Sequence, residues 1–133
     1  MSAASLLARG RIAAEALMVD ACVIRRVTGQ TTDDLTGAVA PTYSTVYTGP
    51  CKVQATGGRT GGERVEVGEV AAVVDRLRLD LPVATSLAIT HGDRVTITAC
   101  THDPDLVGMV ATIHDPMGKS FGTARRLLIE RVS

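Results

Sequence analysis

The stretch His91 to His114, HGDRVTITACTHDPDLVGMVATIH, decides the fold. Gly92-Asp93 is a turn signal, and after it Val95, Ile97 and Ala99 alternate with Arg94, Thr96 and Thr98. A period of two marks a strand with one buried face. His102-Asp103-Pro104-Asp105 ends that strand, because proline removes a ladder donor. Gly108 to Ile113 returns as a second β-rich run, so the stretch predicts a strand, a turn and a strand.

Outward from this hairpin, Val70 to Val83 carries the clearest alternation in the chain. Leu77, Leu79 and Leu81 point one way and Arg76, Arg78 and Asp80 the other, which predicts one buried and one wet face. Pro82 ends it. Before it lies Thr56 to Gly68, TGGRTGGERVEVG, in which five residues are glycine. So much backbone freedom and so little to bury predict a long flexible loop that gains order only against a partner. Arg59 and Arg64 are its cations and Glu63 and Glu66 its anions, so these four are the expected partner-facing residues of the loop.

Further toward the N-terminus, Cys22 to Val27, Thr42 to Thr48 and Cys51 to Ala55 read as strands. Gly49-Pro50 punctuates the last two, and Thr28 to Pro41 reads as a turn or long β-loop. Ser2 to Ala21 reads as a helix, with Leu6, Leu7, Gly10, Ala13, Ala14, Leu17, Met18 and Ala21 on one face and Arg11 and Glu15 away from it. A thinner stripe of Ala8, Ile12 and Val19 lies nearly opposite. A helix apolar on two sides needs cover on both, so Ile12 and Val19 are the expected contacts to a neighbouring subunit, unless a loop of the same domain covers them. On the other side of the hairpin, Asp115 to Thr123 is a predicted loop and Ala124 to Val132 a final strand. The expectation is a mainly β chain: a small β-barrel or sandwich of about seven strands with one N-terminal α-helix and a long Gly-rich loop. The 133 residues suit a single domain 1–133, with helix 1–21, barrel 22–133 and loop 56–68.

Composition removes several function classes. There is no Trp, and the aromatics are Tyr43, Tyr47 and Phe121, too few for the stacking platforms that bind single strands or sugars. The 14 basic and 14 acidic residues cancel, so no strong field draws in DNA or an anionic membrane. No apolar run approaches the ~20 residues of a membrane span. The opening residues lack a signal-peptide pattern, so a cytoplasm is expected. Cys22, Cys51 and Cys100 are odd in number and sit in or beside strand-like runs, which fits reduced thiols rather than a disulfide framework.

Turn chemistry accounts for the titratable constellations. His-Asp-Pro occurs at 102–104 and again at 114–116. Each histidine stands at an expected turn, and the spacing matches no zinc signature, so no metal is expected. Gly118-Lys119-Ser120 has Ile113 where a phosphate loop needs glycine. Cys100 and His102 would share a strand face, yet no orienting carboxylate or oxyanion hole stands in a recognisable frame. The residues predict no catalytic group, no cofactor and no enzyme.

The run Leu6-Leu7-Ala8-Arg9-Gly10-Arg11, with Ala16-Leu17-Met18 and Cys22-Val23-Ile24-Arg25-Arg26, resembles the opening of the small head-to-tail connector proteins of actinobacterial tailed phages and prophages. The likeness continues through Tyr47-Thr48-Gly49-Pro50-Cys51-Lys52-Val53, Leu77 to Pro82, Gly92 to Thr96, Asp103 to Gly108, and Lys119-Ser120 with Ala124 to Leu127. The resemblance implies a head-to-tail stopper, or head-completion protein, in the virion neck, assembled in the bacterial host cytoplasm. It implies a homo-oligomeric ring, a hexamer before a dodecamer, in which Ile12 and Val19 would meet a neighbouring subunit or the adaptor ring and Arg59, Glu63, Arg64 and Glu66 would face the channel or a ring neighbour. The portal or adaptor ring would lie above, the tail terminator or tail tube below, and packaged double-stranded DNA would pass through without sequence-specific contact. The alternatives are another neck component, a tail terminator or adaptor, for both of which more helix is expected, and an OB-like binding module, which needs a basic or aromatic strand face.

Overall fold

The computed structural model describes residues 2–55, 62–67, 70–118 and 120–132. One helix, α1 (Ala3–Ala16), precedes β1 (Asp20–Thr32), β2 (Val39–Ala55), β3 (Gly62–Val67), β4 (Val70–Leu81), β5 (Arg94–Ala99), β6 (Val110–Met117) and β7 (Arg125–Arg131). Six strands pair antiparallel in the order β2-β1-β5-β6-β7-β4. β2 also pairs with β4, Lys52–Ala55 against Leu77–Asp80, so the pairings return to their start and form a ring. β3 stands outside the ring, paired to β4 alone from Gly62↔Asp75 to Val67↔Val70.

The core is the inward half of each alternating strand. β1 contributes Cys22 and Ile24, β2 Tyr47 and Cys51, β4 Leu79 and Leu81, β5 Val95 and Ile97, β6 Ala111 and Ile113, and β7 Leu127 and Ile129. All are buried, with Ile89 and Met109 joining them from the connecting segments. With almost no aromatics, aliphatic side chains and two thiols fill the interior, and the apolar area they remove from water drives the closure. Tyr47 lies over Gly49: a Cβ there would stand 3.0 Å from Tyr47 Oη. The Tyr47 hydroxyl donates to the Pro50 carbonyl at 2.5 Å. Burial pushes the Tyr47 phenol up to about 12, and Cys22 adds to the effect. The Cys51 thiol is also pushed up, by its side-chain hydrogen bond with Cys22 and by burial.

One rim of the ring is tied by a charge. Asp93, 2 % exposed, accepts from Arg26 Nε and Arg26 Nη2 at 2.9 Å each and from the Thr90 backbone N–H at 2.9 Å. The bidentate fork satisfies a buried carboxylate that would otherwise be costly. Its hydrogen bond and charge raise the Arg26 guanidinium pKa. The same Arg26 Nη2 donates to the Ala88 carbonyl, where the backbone is left-handed at φ 68°.

Several boundaries differ from the sequence reading. The helix ends at Ala16, with Leu17 as its cap and Met18 buried behind it. The strand must begin at Asp20 so that Cys22 and Ile24 enter the core, and that burial overrides the helical pattern. α1 itself has no buried residue. Leu6 and Leu17, expected inward, are 57 % and 60 % exposed. Arg11, expected outward, is half-buried and donates its Nε to the Gly122 carbonyl at 3.1 Å. Thr28 to Pro41 is no loose loop. β1 and β2 run through it as a ladder, and the turn is confined to Asp33–Ala38. Gly49-Pro50 does not interrupt β2, since Pro50 still stands opposite Ala21. His114-Asp115-Pro116 is inside β6, where a bulge between Ile113 and Asp115 absorbs one extra residue. Residues 62–67 of the expected loop are strand, because they find a ladder partner in 70–75. The remainder of 56–68 lies outside the described residues.

Candidate interaction surface

β1 loses its β5 neighbour after Arg25↔Arg94. Beyond that point β1 and β2 continue alone, with Val27↔Tyr43, Gly29↔Thr42 and so on to Thr32↔Val39. The result is a two-stranded arm standing off the ring. A pair of strands with nothing packed on it is only marginally stable in water. Here it is reinforced by the side-chain pair Thr28 Oγ1 to Thr42 Oγ1, 3.2 Å, and by its turn. In that turn the Asp33 amide donates to the Ala38 carbonyl at 2.8 Å and the Gly37 amide to the Asp33 carbonyl at 2.7 Å. Gly37 sits at φ 73°, which only glycine adopts cheaply. The Asp33 carboxylate accepts from the Leu35 amide at 2.9 Å, and that bond holds its pKa below the ordinary value. The turn therefore presents Leu35, 96 % exposed, beside the exposed Asp34.

At the foot of the arm, on the outer face of β1, β2, β5 and β6, lies a groove of about 180 Å³ lined by Arg25, Tyr43, Arg94, Thr96 and Val110. Tyr43 is 41 % exposed and the neighbouring Val27 52 %. Arg25 and Arg94 face each other across the strands, and like charges directly opposite destabilise a sheet. Among the described residues, neither has a hydrogen-bond or ion-pair partner. By contrast, Arg78 forks onto Asp80, 3.0 Å from Nε to Oδ1 and 3.2 Å from Nη2 to Oδ2, and its Nη2 also donates to Gln54 Oε1.

The residues singled out from sequence fall in different places. Ile12 is 68 % exposed on α1 and Val19 50 % exposed in the link to β1. Val19 lines a second cleft, of about 290 Å³, with Leu17, Lys52, Cys100, His102 and Leu106; Ile12 does not. Cys100 and His102 do share that cleft, with Asp20 and Asp103. Partial burial, followed by Asp20, pushes the Cys100 thiol up from its ordinary value, which works against a thiolate nucleophile. His91 Nδ1 lies 2.7 Å from the His114 carbonyl oxygen, and the two rings are 5.4 Å apart. Among the described residues there is no group of three or more His, Cys, Asp or Glu able to hold a metal ion. The backbones of Glu63, Arg64 and Glu66 lie in β3, and Arg59 lies outside the described residues. The arm and the arginine groove were not singled out from sequence. The one available signal was that Arg25 and Arg94 each open or interrupt an apolar alternation.

Among the described residues, no helix is long and apolar enough to cross a membrane. A family model described as a family of unknown function, DUF6093, matches residues 10–130. No curated protein matches the chain. Among solved structures, the solution structure of protein SF1141 from Shigella flexneri 2a is similar at 19 % identity. The TM-score is 0.55 over 86 % of this chain and 92 % of that one, which is a likeness of fold.

Proposed function

We propose that this chain, which belongs to the DUF6093 family of unknown function, is a structural ring protein of a phage neck, a head-to-tail stopper. In this reading the ring of strand pairings is a small β-barrel, and copies of it assemble below the portal or adaptor. They retain packaged DNA and offer a docking face to the tail terminator or tail tube. The protein needs no catalytic residue, metal or cofactor for this. The observation that carries the reading is the β1–β2 arm, which buries nothing of its own and ends on an almost fully exposed Leu35. A ladder that long is retained where a neighbour covers it. Ile12 and Val19 are exposed apolar residues outside the arm, available to a neighbour as well. Heterologous contacts of this kind close into rings. Net neutrality and the scarcity of aromatics suit a conduit through which duplex DNA slides without sticking.

The test is deletion of the gene from the phage or prophage that carries it. Heads that package and then lose DNA, accumulating beside free tails, are the expected outcome. Normal yields of joined, DNA-filled particles would refute the role.

A further inference from the structure

We infer that the Arg25–Arg94 groove of one copy receives the Asp34-Leu35 turn of a second copy. The groove has Arg25 and Arg94 in direct cross-strand register on its two central strands, β1 and β5, with Tyr43 on β2 and Val110 on β6 flanking them as apolar walls. The arm turn has the complementary form, an exposed leucine beside an exposed carboxylate. Leu35 packs against an apolar wall, and Asp34 relieves the repulsion between the two adjacent arginines. Charge-assisted, bidentate bonding is what a guanidinium pair offers a carboxylate. Asp33 is already committed to the Leu35 amide and holds the turn in shape.

The turn cannot reach the groove of its own molecule. Arg25 to Thr32 is a paired ribbon with one irregularity between Val27 and Gly29, which at about 3.3 Å per residue holds the turn roughly 25 Å from the groove. The occupant is therefore another chain, and a second copy brings the complementary turn with it. The contact rests on the ring reading only for its biological setting.

A charge-exchange experiment tests it. One variant is Arg25→Glu with Arg94→Glu, the other Asp34→Arg. All three positions are exposed, and circular dichroism checks that both variants keep the wild-type fold. Wild type should self-associate in sedimentation velocity, and each variant alone should associate at least about tenfold more weakly. An equimolar mixture should recover association, because the unaltered acidic turn of the first variant meets wild-type arginines. The altered turn of the second meets the glutamates of the first. Leu35→Ala alone should weaken association. A monomeric wild type, variants that associate like wild type, or a mixture that fails to recover would each overturn the contact. So would a low-salt gel shift of duplex DNA abolished by the arginine variant while association is unchanged, since phosphate would then be the occupant. Particle assembly is scored separately. Incorporation into necks of variants whose association is lost keeps the ring role and refutes this contact as what builds the ring, whereas exchangeable association without incorporation keeps the contact and refutes the role.

Discussion

Gly10 sets two effects of similar size against each other. Inside α1 a glycine costs about 1 kcal/mol relative to alanine, so Gly10→Ala should stabilise a helix with nothing beside it. A Cβ built there, however, would stand 2.8 Å from Thr123 Cγ2 and 3.8 Å from Thr123 Cβ. Threonine is stiff at χ1, so the methyl does not move freely, and overpacking of this kind costs about 1–3 kcal/mol. The neighbouring Arg11 is tied to Gly122, so a helix that shifts to relieve the clash loses that bond as well. Gly10→Ala should then be neutral, or destabilising by up to about 2 kcal/mol. In a Thr123→Ser background, which lacks Cγ2, the same change should stabilise by up to about 1 kcal/mol. Urea unfolding of the four proteins gives the coupling directly, expected at about 1–3 kcal/mol. If Gly10→Ala stabilises equally in both backgrounds, α1 does not rest on Thr123 and the close packing described for the helix is wrong.

Ile12→Asp with Val19→Asp should shift the urea midpoint by no more than about 0.5 kcal/mol equivalent, as surface changes do, while lowering incorporation into particles; unfolding would place both in the domain's own core. Leu127→Ala removes a side chain with no exposure and should cost about 2–5 kcal/mol in the same assay. In alkali the protein should lose stability. Tyr47 and Cys51 are held neutral in the fold, so the unfolded chain alone gains their charges as pH rises through the ordinary values of 9.0 for the thiol and 10.0 for the phenol. Stability is fully present below about 9 and falls toward about 12. Displacement of Tyr47 from 10.0 to about 12 contributes about 3 kcal/mol to the fall. Tyr47→Phe should flatten the decline between pH 9 and 12, and an unchanged slope would refute that assignment.

The strands that enclose the core were legible where burial imposes a period of two. Leu79 and Leu81 in β4 and Val95 and Ile97 in β5 are inward, as their alternation requires. The arm was not legible for the converse reason. Thr28 to Thr32 and Val39 to Thr42 pair only with one another, and a ladder that buries nothing leaves no hydrophobic rhythm to read. The helix was legible as an element but not in its orientation. The largest apolar residues marked one face, whereas the seat on Thr123 selects the smallest residue, Gly10, and draws in Arg11. The groove was hidden because its two arginines are roughly 70 residues apart in sequence and meet only through the β1–β5 register.

That register has a consequence for how the chain must be made. The pairings within residues 20–81 join β1, β2, β3 and β4, and those within 94–131 join β5, β6 and β7. Among the described residues, only β1–β5 and β4–β7 connect the two groups. Synthesis runs from the N-terminus, so the first group leaves the ribosome complete in its local hairpins while the strands that should cover β1 and β4 do not yet exist. β1 stays uncovered until β5 emerges and β4 until β7 does, so the nascent chain carries unpaired strand edges throughout that interval. Such edges are templates for pairing with another chain. At an elongation rate of about 5–20 residues per second, the interval lasts a few seconds on every polysome. The protein's greatest exposure to its own copies therefore falls before it has folded, when many nascent chains with the same open edges stand side by side.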